Sequence, residues 1–82
     1  MKTIKELRDE IDGIDREIVK LLMKRMDISR IIGKSKEKVT DRNREMSVII
    51  NALNTSEEKL DPTFLRELYE QIITESKRIQ MD

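Results

Sequence analysis

Two cations on the apolar face of the first predicted helix could bind an anion. Arg25 and Lys36 lie in the segment LLMKRMDISRIIGKSK, whose apolar residues recur every three or four positions. The two cations are eleven residues apart. In a helix this spacing places them within roughly 20° of each other and about 16 Å apart along the axis. With Ile32 between them, the two side chains can converge on one ligand.

Polar side chains on two other predicted helices add to this pair. Ser76 and Gln80 lie one turn apart and extend the apolar stripe of the third helix, so polar groups again point inward. The segment DRNRE places Asp41, Arg44 and Glu45 on the first turn of the second helix. Burying several cations is costly unless anions meet them. A small dianionic or polyanionic ligand would compensate the charge of these cations.

Each of these residues also has a purely structural interpretation. A single Lys or Arg more often buries its stem and releases its charge to water. Asp41 is a natural helix N-cap, whatever else it does. Ser76 and Gln80 lie near the carboxyl end of the chain, where helices fray. The combination of such residues on three helices favours a binding site.

Composition excludes several functional classes. The chain has 17 Lys+Arg and 17 Asp+Glu, so its charge balance indicates neither nucleic acid nor an anionic membrane as partner. It has no Cys and no His, which removes disulfides, thiol nucleophiles, the usual zinc sites and the commonest general base. No segment approaches a membrane span. We therefore expect a cytoplasmic protein that works with carboxylates, amides, hydroxyls and cations.

The elements that must position these residues are helices. Hydrophobic periodicity predicts one all-α domain over residues 1–82 with a long first helix and two shorter ones. The first runs from residue 3 to about residue 33, with Thr3 and Glu6 forming a capping box. The second covers about residues 41–53. The third has Asp61 as N-cap and Pro62 at its first position, and it runs nearly to the end of the chain.

The length of the first helix predicts an assembly. Such a helix is roughly 45 Å long, whereas a compact chain of this size has a radius of gyration of about 12 Å. Its apolar stripe is continuous, so we expect a second copy to cover the unmatched part in an intertwined dimer. A long coiled coil fits poorly because Arg25 and Lys36 interrupt the stripe. Arg8, about 25 Å from Arg25 along the axis, could reach only the partner's site in an antiparallel dimer.

The ordered motifs resemble one known family. The first-helix segment LRDEIDGIDREIVKLLMKRMDISRIIGKSK is similar in nearly every turn to the opening of the all-α chorismate mutases of the AroQ type. The second-helix DRNRE resembles that family's Asp-x-x-Arg-Glu, and ITESKRIQ its carboxy-terminal Ser-x-x-x-Gln. The resemblance implies an intertwined helical homodimer with two sites. It also implies rearrangement of chorismate to prephenate, at the branch towards phenylalanine and tyrosine, with no cofactor and no metal.

The resemblance also implies roles for individual residues. Carboxylates of the substrate would be bound by Arg25 and by Arg8 of the partner subunit, with contacts completed by Arg44 and Ser76. The ether oxygen would accept hydrogen bonds from Lys36 and Gln80. The ring hydroxyl would be held by Glu45 and the Asp41 region, and the apolar walls would be Ile32, Val48 and Ile73.

These residue types suit the implied reaction. A Claisen rearrangement is unimolecular and pericyclic, so it needs no nucleophile, proton shuttle or cofactor. Fixed cations can hold both carboxylates in the reactive conformer. Preorganised donors can stabilise the charge that grows on the ether oxygen as its C–O bond breaks.

The connection between the first and second predicted helices departs from the family pattern. Only EKVT separates Lys36 from Asp41, where the family usually has a longer connection. This shortening could tighten the site or move Asp41 and Arg44 away from the ligand.

Two rival functions stay open. An isochorismate-pyruvate lyase of the same fold would use a similar cationic site. In a non-enzymatic helical interaction module, Arg25 and Lys36 would only bury their aliphatic stems and keep their charges in water.

Overall fold

The computed structural model describes residues 1–35 and 41–81, and the secondary structure in this part of the chain is helical. Three helices follow in order: α1 (Ile4–Gly33), α2 (Arg42–Ser56) and α3 (Pro62–Gln80). The predicted all-α class and the three-helix order are confirmed. The shortened connection after α1 and the predicted donor Lys36 lie outside the described residues.

Local capping explains where the helices begin. The Thr3 hydroxyl accepts from the Glu6 amide at 3.1 Å, and the Glu6 carboxylate accepts from the Thr3 amide at 3.2 Å. This is the predicted capping box. The Asp61 carboxylate accepts from the Phe64 amide at 2.9 Å, with Pro62 in the first turn of α3. Side chains close in sequence therefore satisfy the first free amides of both helices.

The second helix is longer than predicted. It continues past the expected end near residue 53 to Ser56. Thr55 donates to the Asn51 carbonyl at 2.7 Å and Ser56 donates to the Leu53 carbonyl at 2.8 Å. These bonds satisfy the polar hydroxyls inside the helix, so the polar composition does not stop it. The helix ends where Glu57 and Glu58 adopt left-handed backbone angles, with φ of 50° and 64°.

The small core lies along α3, which packs against both α1 and α2. Its buried apolar residues are Leu65, Ile73 and Ile79, all on α3. Two serines are also buried, Ser29 of α1 and Ser76 of α3. The deepest part of the molecule therefore contains polar groups, and these are at the carboxyl ends of α1 and α3.

The amino-terminal half of α1 has an apolar stripe that no described part of the chain covers. The molecule measures 54 × 25 × 15 Å. Its accessible surface is 7239 Å², whereas a compact chain of this length exposes roughly 5200 Å². Exposed apolar side chains along this half of α1 are Ile4, Leu7, Ile11, Ile14 and Ile18. One chain thus leaves a large apolar surface in water. None of the helices in the described ranges is long and apolar enough to cross a membrane.

Candidate functional site

A cleft of about 300 Å³ lies where the end of α1, the start of α2 and the end of α3 meet. Its lining combines cations, carboxylates, an amide, hydroxyls and aliphatic walls. The lining residues are Arg25, Ile28, Ser29, Ile32, Asp41, Arg44, Glu45, Val48, Ile73, Ser76, Lys77 and Gln80.

Most of the predicted site residues come together in this cleft. They are Arg25, Ile32, Asp41, Arg44, Glu45, Val48, Ile73, Ser76 and Gln80. Arg8 does not line it, because it lies near the opposite end of the 30-residue α1. The position of Lys36 is not described.

Arg25 is held from across the helix interface. Its Nη1 donates a hydrogen bond to Oγ of Ser76. Ser76 is only 6 % exposed, and its hydroxyl also lies 3.6 Å from Sδ of Met26. The Arg25 side chain is therefore tethered to α3 and does not simply extend into water. The remaining N–H groups of its guanidinium can bind a planar carboxylate.

Asp41 and Glu45 use their carboxylates differently. Asp41 is the N-cap of α2, and its Oδ1 accepts from the Arg44 amide at 3.1 Å. This confirms the structural interpretation of Asp41, although the residue also lines the cleft. Glu45 is half-buried one turn later, and its Oε2 lies 3.5 Å from Nζ of Lys77. Each carboxylate that lines the cleft is thus already engaged by its own chain.

Gln80 brings a buried polar atom that is still unsatisfied. Its Oε1 is buried, and no group in the described part of the chain forms a hydrogen bond with it. A buried amide without partners is costly unless something else completes its bonding. Rotation of the amide group exchanges Oε1 with the Nε2 donor, so either atom can be turned towards a ligand.

Close backbone packing positions Gln80. A Cβ atom on Gly33 would lie 2.7 Å from Cα and 2.9 Å from the carbonyl carbon of Gln80. Atoms do not approach so closely without displacement. Gly33 therefore allows α1 and α3 to meet at the residue that carries the unsatisfied amide.

Two polar lining residues, Ser29 and Lys77, were not predicted from the sequence. Ser29 lies four positions after Arg25, and Lys77 lies four positions after Ile73. Both positions belong to the same helix faces as residues that were predicted, so helical spacing carried the signal. Neither was proposed, because an isolated Ser or Lys on a charged helix is usually solvent-exposed.

The cleft is cationic overall. Three of its described residues are cations, namely Arg25, Arg44 and Lys77, against the two carboxylates of Asp41 and Glu45. With Asp41 occupied as a cap and Glu45 paired with Lys77, two guanidinium groups are available for an anion. The arrangement suits a small dicarboxylate that also offers polar groups to Gln80 and Glu45. In the described ranges no group of carboxylates is arranged to hold a metal ion.

A different groove lies on another face of α1 and α3. It is about 570 Å³ in volume and mainly apolar, with Met23, Met26 and Ile72 among its lining residues. At its rim, Arg78 donates to Glu75 at 2.6 and 2.8 Å. These hydrogen bonds hold the pKa of Glu75 below its ordinary value, with smaller contributions from the charges of Arg78 and Arg30. The shifted carboxyl is thus not part of the cationic cleft.

Comparison with known proteins finds a matching family and a similar curated protein. A family model described as "Chorismate mutase type II" matches residues 7–81. A bifunctional chorismate mutase/prephenate dehydratase of Aquifex aeolicus (strain VF5) is 43 % identical over 60 residues, which cover 66 % of this chain and 17 % of that protein. The chain thus spans about a sixth of the length of this curated relative. No solved structure matched the chain.

Proposed function

Because the chain belongs to the chorismate mutase type II family, we propose that it catalyses the Claisen rearrangement of chorismate to prephenate. The observation that supports this proposal best is the cleft that combines Arg25, Arg44, Glu45 and Gln80. We propose that residues 1–82 act as one domain. The reaction belongs to the biosynthesis of phenylalanine and tyrosine in the cytoplasm.

Binding of the two substrate carboxylates restricts the substrate to its reactive conformer. Arg25 binds one carboxylate with the N–H groups that remain beside its bond to Ser76. Arg44 adds a second guanidinium from the first turn of α2. Fixed cations hold the enolpyruvyl chain over the ring, and this removes rotational freedom before the bond change. Other orientations of the substrate are limited by the apolar walls of the cleft, which are Ile32, Val48 and Ile73.

Hydrogen bonding to the ether oxygen lowers the barrier further. Negative charge grows on this oxygen as its C–O bond breaks, and a single preorganised donor can contribute about 3–4 kcal/mol. Gln80 supplies one donor through its Nε2, and its amide lacks a partner for Oε1 among the described residues. We propose Lys36 as the second donor on the basis of its sequence position. No proton is transferred, so the lack of His and Cys does not impede the reaction.

Glu45 orients the ring. Its carboxylate lines the cleft and can accept a hydrogen bond from the ring hydroxyl of chorismate. Asp41 is committed to the amide of Arg44, so its contribution is to hold the start of α2 beside the cleft. The hydroxyl contact thus selects one orientation of the ring relative to the two carboxylates.

A second copy completes the site. We propose an intertwined homodimer, supported by the exposed apolar stripe of α1 and by the excess accessible surface of one chain. A further groove of about 520 Å³ shares Arg25, Arg44 and Val48 with the cleft and is lined also by Leu65 and Tyr69. In the dimer α1 of the partner subunit covers this groove. Arg8 of the partner subunit then binds a substrate carboxylate.

The test is turnover of chorismate by the purified protein, followed by loss of chorismate absorbance and identification of the product. Prephenate formed by the wild type and lost in Arg25→Ala supports the mutase and its cationic cleft together. A folded protein that leaves chorismate unchanged contradicts the proposal. Release of pyruvate from isochorismate, with no prephenate formed from chorismate, would assign the protein instead as an isochorismate-pyruvate lyase.

A further inference from the structure

Lys77 is a third cation of the cleft, one that the proposed mechanism does not use. It follows the buried Ser76 on α3 and lies one turn after Ile73. Its Nζ lies 3.5 Å from Oε2 of Glu45 on α2. Other ion pairs in the described ranges, such as Lys5–Asp9 and Arg30–Asp27, join residues of the same helix. The Lys77–Glu45 pair instead spans two helices at the wall of the cleft.

The charge of Glu45 poses a problem for substrate binding. The proposed substrate carries two carboxylates, and Glu45 would place a third negative charge in the same small cleft. Like charges within one small cleft repel each other, and the repulsion is stronger where water is partly excluded. An ammonium group beside Glu45 removes most of that repulsion while leaving the carboxylate able to accept a hydrogen bond.

Partial exposure argues against a mainly structural role for the pair. The Lys77 and Glu45 side chains are 37 % and 29 % exposed. Ion pairs with this much solvent contact contribute little to the stability of a fold. A contribution to fold stability alone therefore does not account for the pair.

We propose that Lys77 is a positioning residue of this site: it holds the Glu45 carboxylate against α3 and neutralises it, so that a dianion can bind beside it. This proposal rests on the proposed function. Lys77 acts through Glu45 and does not bind the substrate itself. Its removal should therefore weaken binding of ground state and transition state alike, so that KM rises while kcat is nearly unchanged.

A double-mutant cycle tests the proposal. The proteins are the wild type, Lys77→Met, Glu45→Gln and the double variant, with Lys77→Arg as the conservative variant. Lys59→Met is the matched control, because Lys59 also pairs with a glutamate, Glu57 at 3.7 Å, but does not line the cleft. We measure kcat and KM for chorismate, the Kd for prephenate by calorimetry, and the melting temperature of each protein.

Lys77→Met should raise KM and the prephenate Kd by about tenfold relative to Lys59→Met, with kcat nearly unchanged. Lys77→Arg should restore both constants. In the Glu45→Gln background, where no charge needs neutralising, Lys77→Met should have no effect on KM or Kd. If Lys77→Met does not fold, Lys77→Gln takes its place in the cycle.

Two results for the variants would overturn the proposal. An equal rise in KM with and without the Glu45 charge would mean that Lys77 contacts the ligand directly. A lower melting temperature with unchanged KM and Kd would leave Lys77 with a structural role only. A wild type that binds prephenate without converting chorismate would defeat the proposed function, and the prephenate Kd would still test Lys77. A wild-type protein that neither converts chorismate nor binds prephenate would defeat both proposals.

Discussion

Gly33 of α1 packs directly against the backbone of Gln80 of α3, 47 positions later in the chain. A side chain on Gly33 would occupy space that the Gln80 backbone already fills. The proposed donor to the ether oxygen is therefore positioned by a residue that does not itself line the cleft. Small displacements of a positioned donor have large effects on rate.

Gly33→Ala should lower kcat by about tenfold or more, because the added methyl group displaces Gln80 from the cleft. Stability should also fall, since the two helices must separate. Gly13→Ala is the matched control, because a Cβ there would meet only Arg16 Nη2 at 3.8 Å. That change should leave activity unchanged and stabilise α1 by about 0.5–1 kcal/mol. Chorismate turnover and thermal melting distinguish the two substitutions, and equal kcat values would contradict the role of Gly33.

Arg25→Ala should reduce kcat/KM by roughly 10²–10³-fold, because it removes a charged partner of a substrate carboxylate. It should also leave the buried Ser76 hydroxyl without its guanidinium donor. Arg30→Ala is the control, since Arg30 is exposed and pairs with Asp27 at 3.0 Å within α1. Steady-state kinetics on both variants checks the prediction. A similar, small loss in the two would mean that Arg25 does not bind the substrate.

Lys36→Ala should lower kcat by about two to three orders of magnitude, the loss expected when a preorganised donor to a developing oxyanion is removed. The helical content should stay the same, because alanine favours helix at least as strongly as lysine does. Lys34→Ala removes an exposed lysine at the end of α1 and serves as the comparison. Circular dichroism and kcat measured together separate a lost donor from a lost fold. An unchanged kcat in Lys36→Ala would remove this residue from the mechanism.

Arg8→Ala and Arg25→Ala should each be inactive alone and active when mixed. If each site combines Arg25 of one chain with Arg8 of the other, a mixed dimer contains one intact site and one that lacks both arginines. Random exchange of equal amounts should restore about a quarter of the wild-type activity. Unfolding and refolding the mixture, with the mass checked by ultracentrifugation, provides the measurement. A dimeric mixture that stays inactive would show that Arg8 does not complete the partner's site.

Glu75→Gln should leave turnover unchanged and alter only the pH dependence of stability. The folded protein holds the pKa of Glu75 below its ordinary value, mainly through the Arg78 hydrogen bonds. A lowered pKa contributes stability that is present above the ordinary glutamate pKa and is lost as the pH falls through the lowered value. The effect should be small because this pair is exposed. Melting curves of both proteins should differ slightly at neutral pH and converge in acid.

Local interactions made much of this protein predictable from its sequence. The capping box of Thr3 and Glu6 and the start of α3 at Asp61 and Pro62 depend on residues within one helical turn. The apolar periodicity likewise indicated that Arg25 and Gln80 face inward, because side chains three or four positions apart share a helix face. Helix order and most of the polar lining of the cleft followed from these short-range rules, whereas the family resemblance supplied the apolar walls Ile32, Val48 and Ile73.

Tertiary packing decided the rest. The contact of Gly33 with Gln80 and the pair of Lys77 with Glu45 join residues on different helices. Such contacts depend on how far each helix is rotated and how closely the axes approach, and helical spacing within one segment does not contain that information. The sequence by itself determined which faces of the helices point inward. Only the packed helices determined which atoms on those faces meet, because side-chain contacts across an interface are set by the fit of all the neighbouring side chains together.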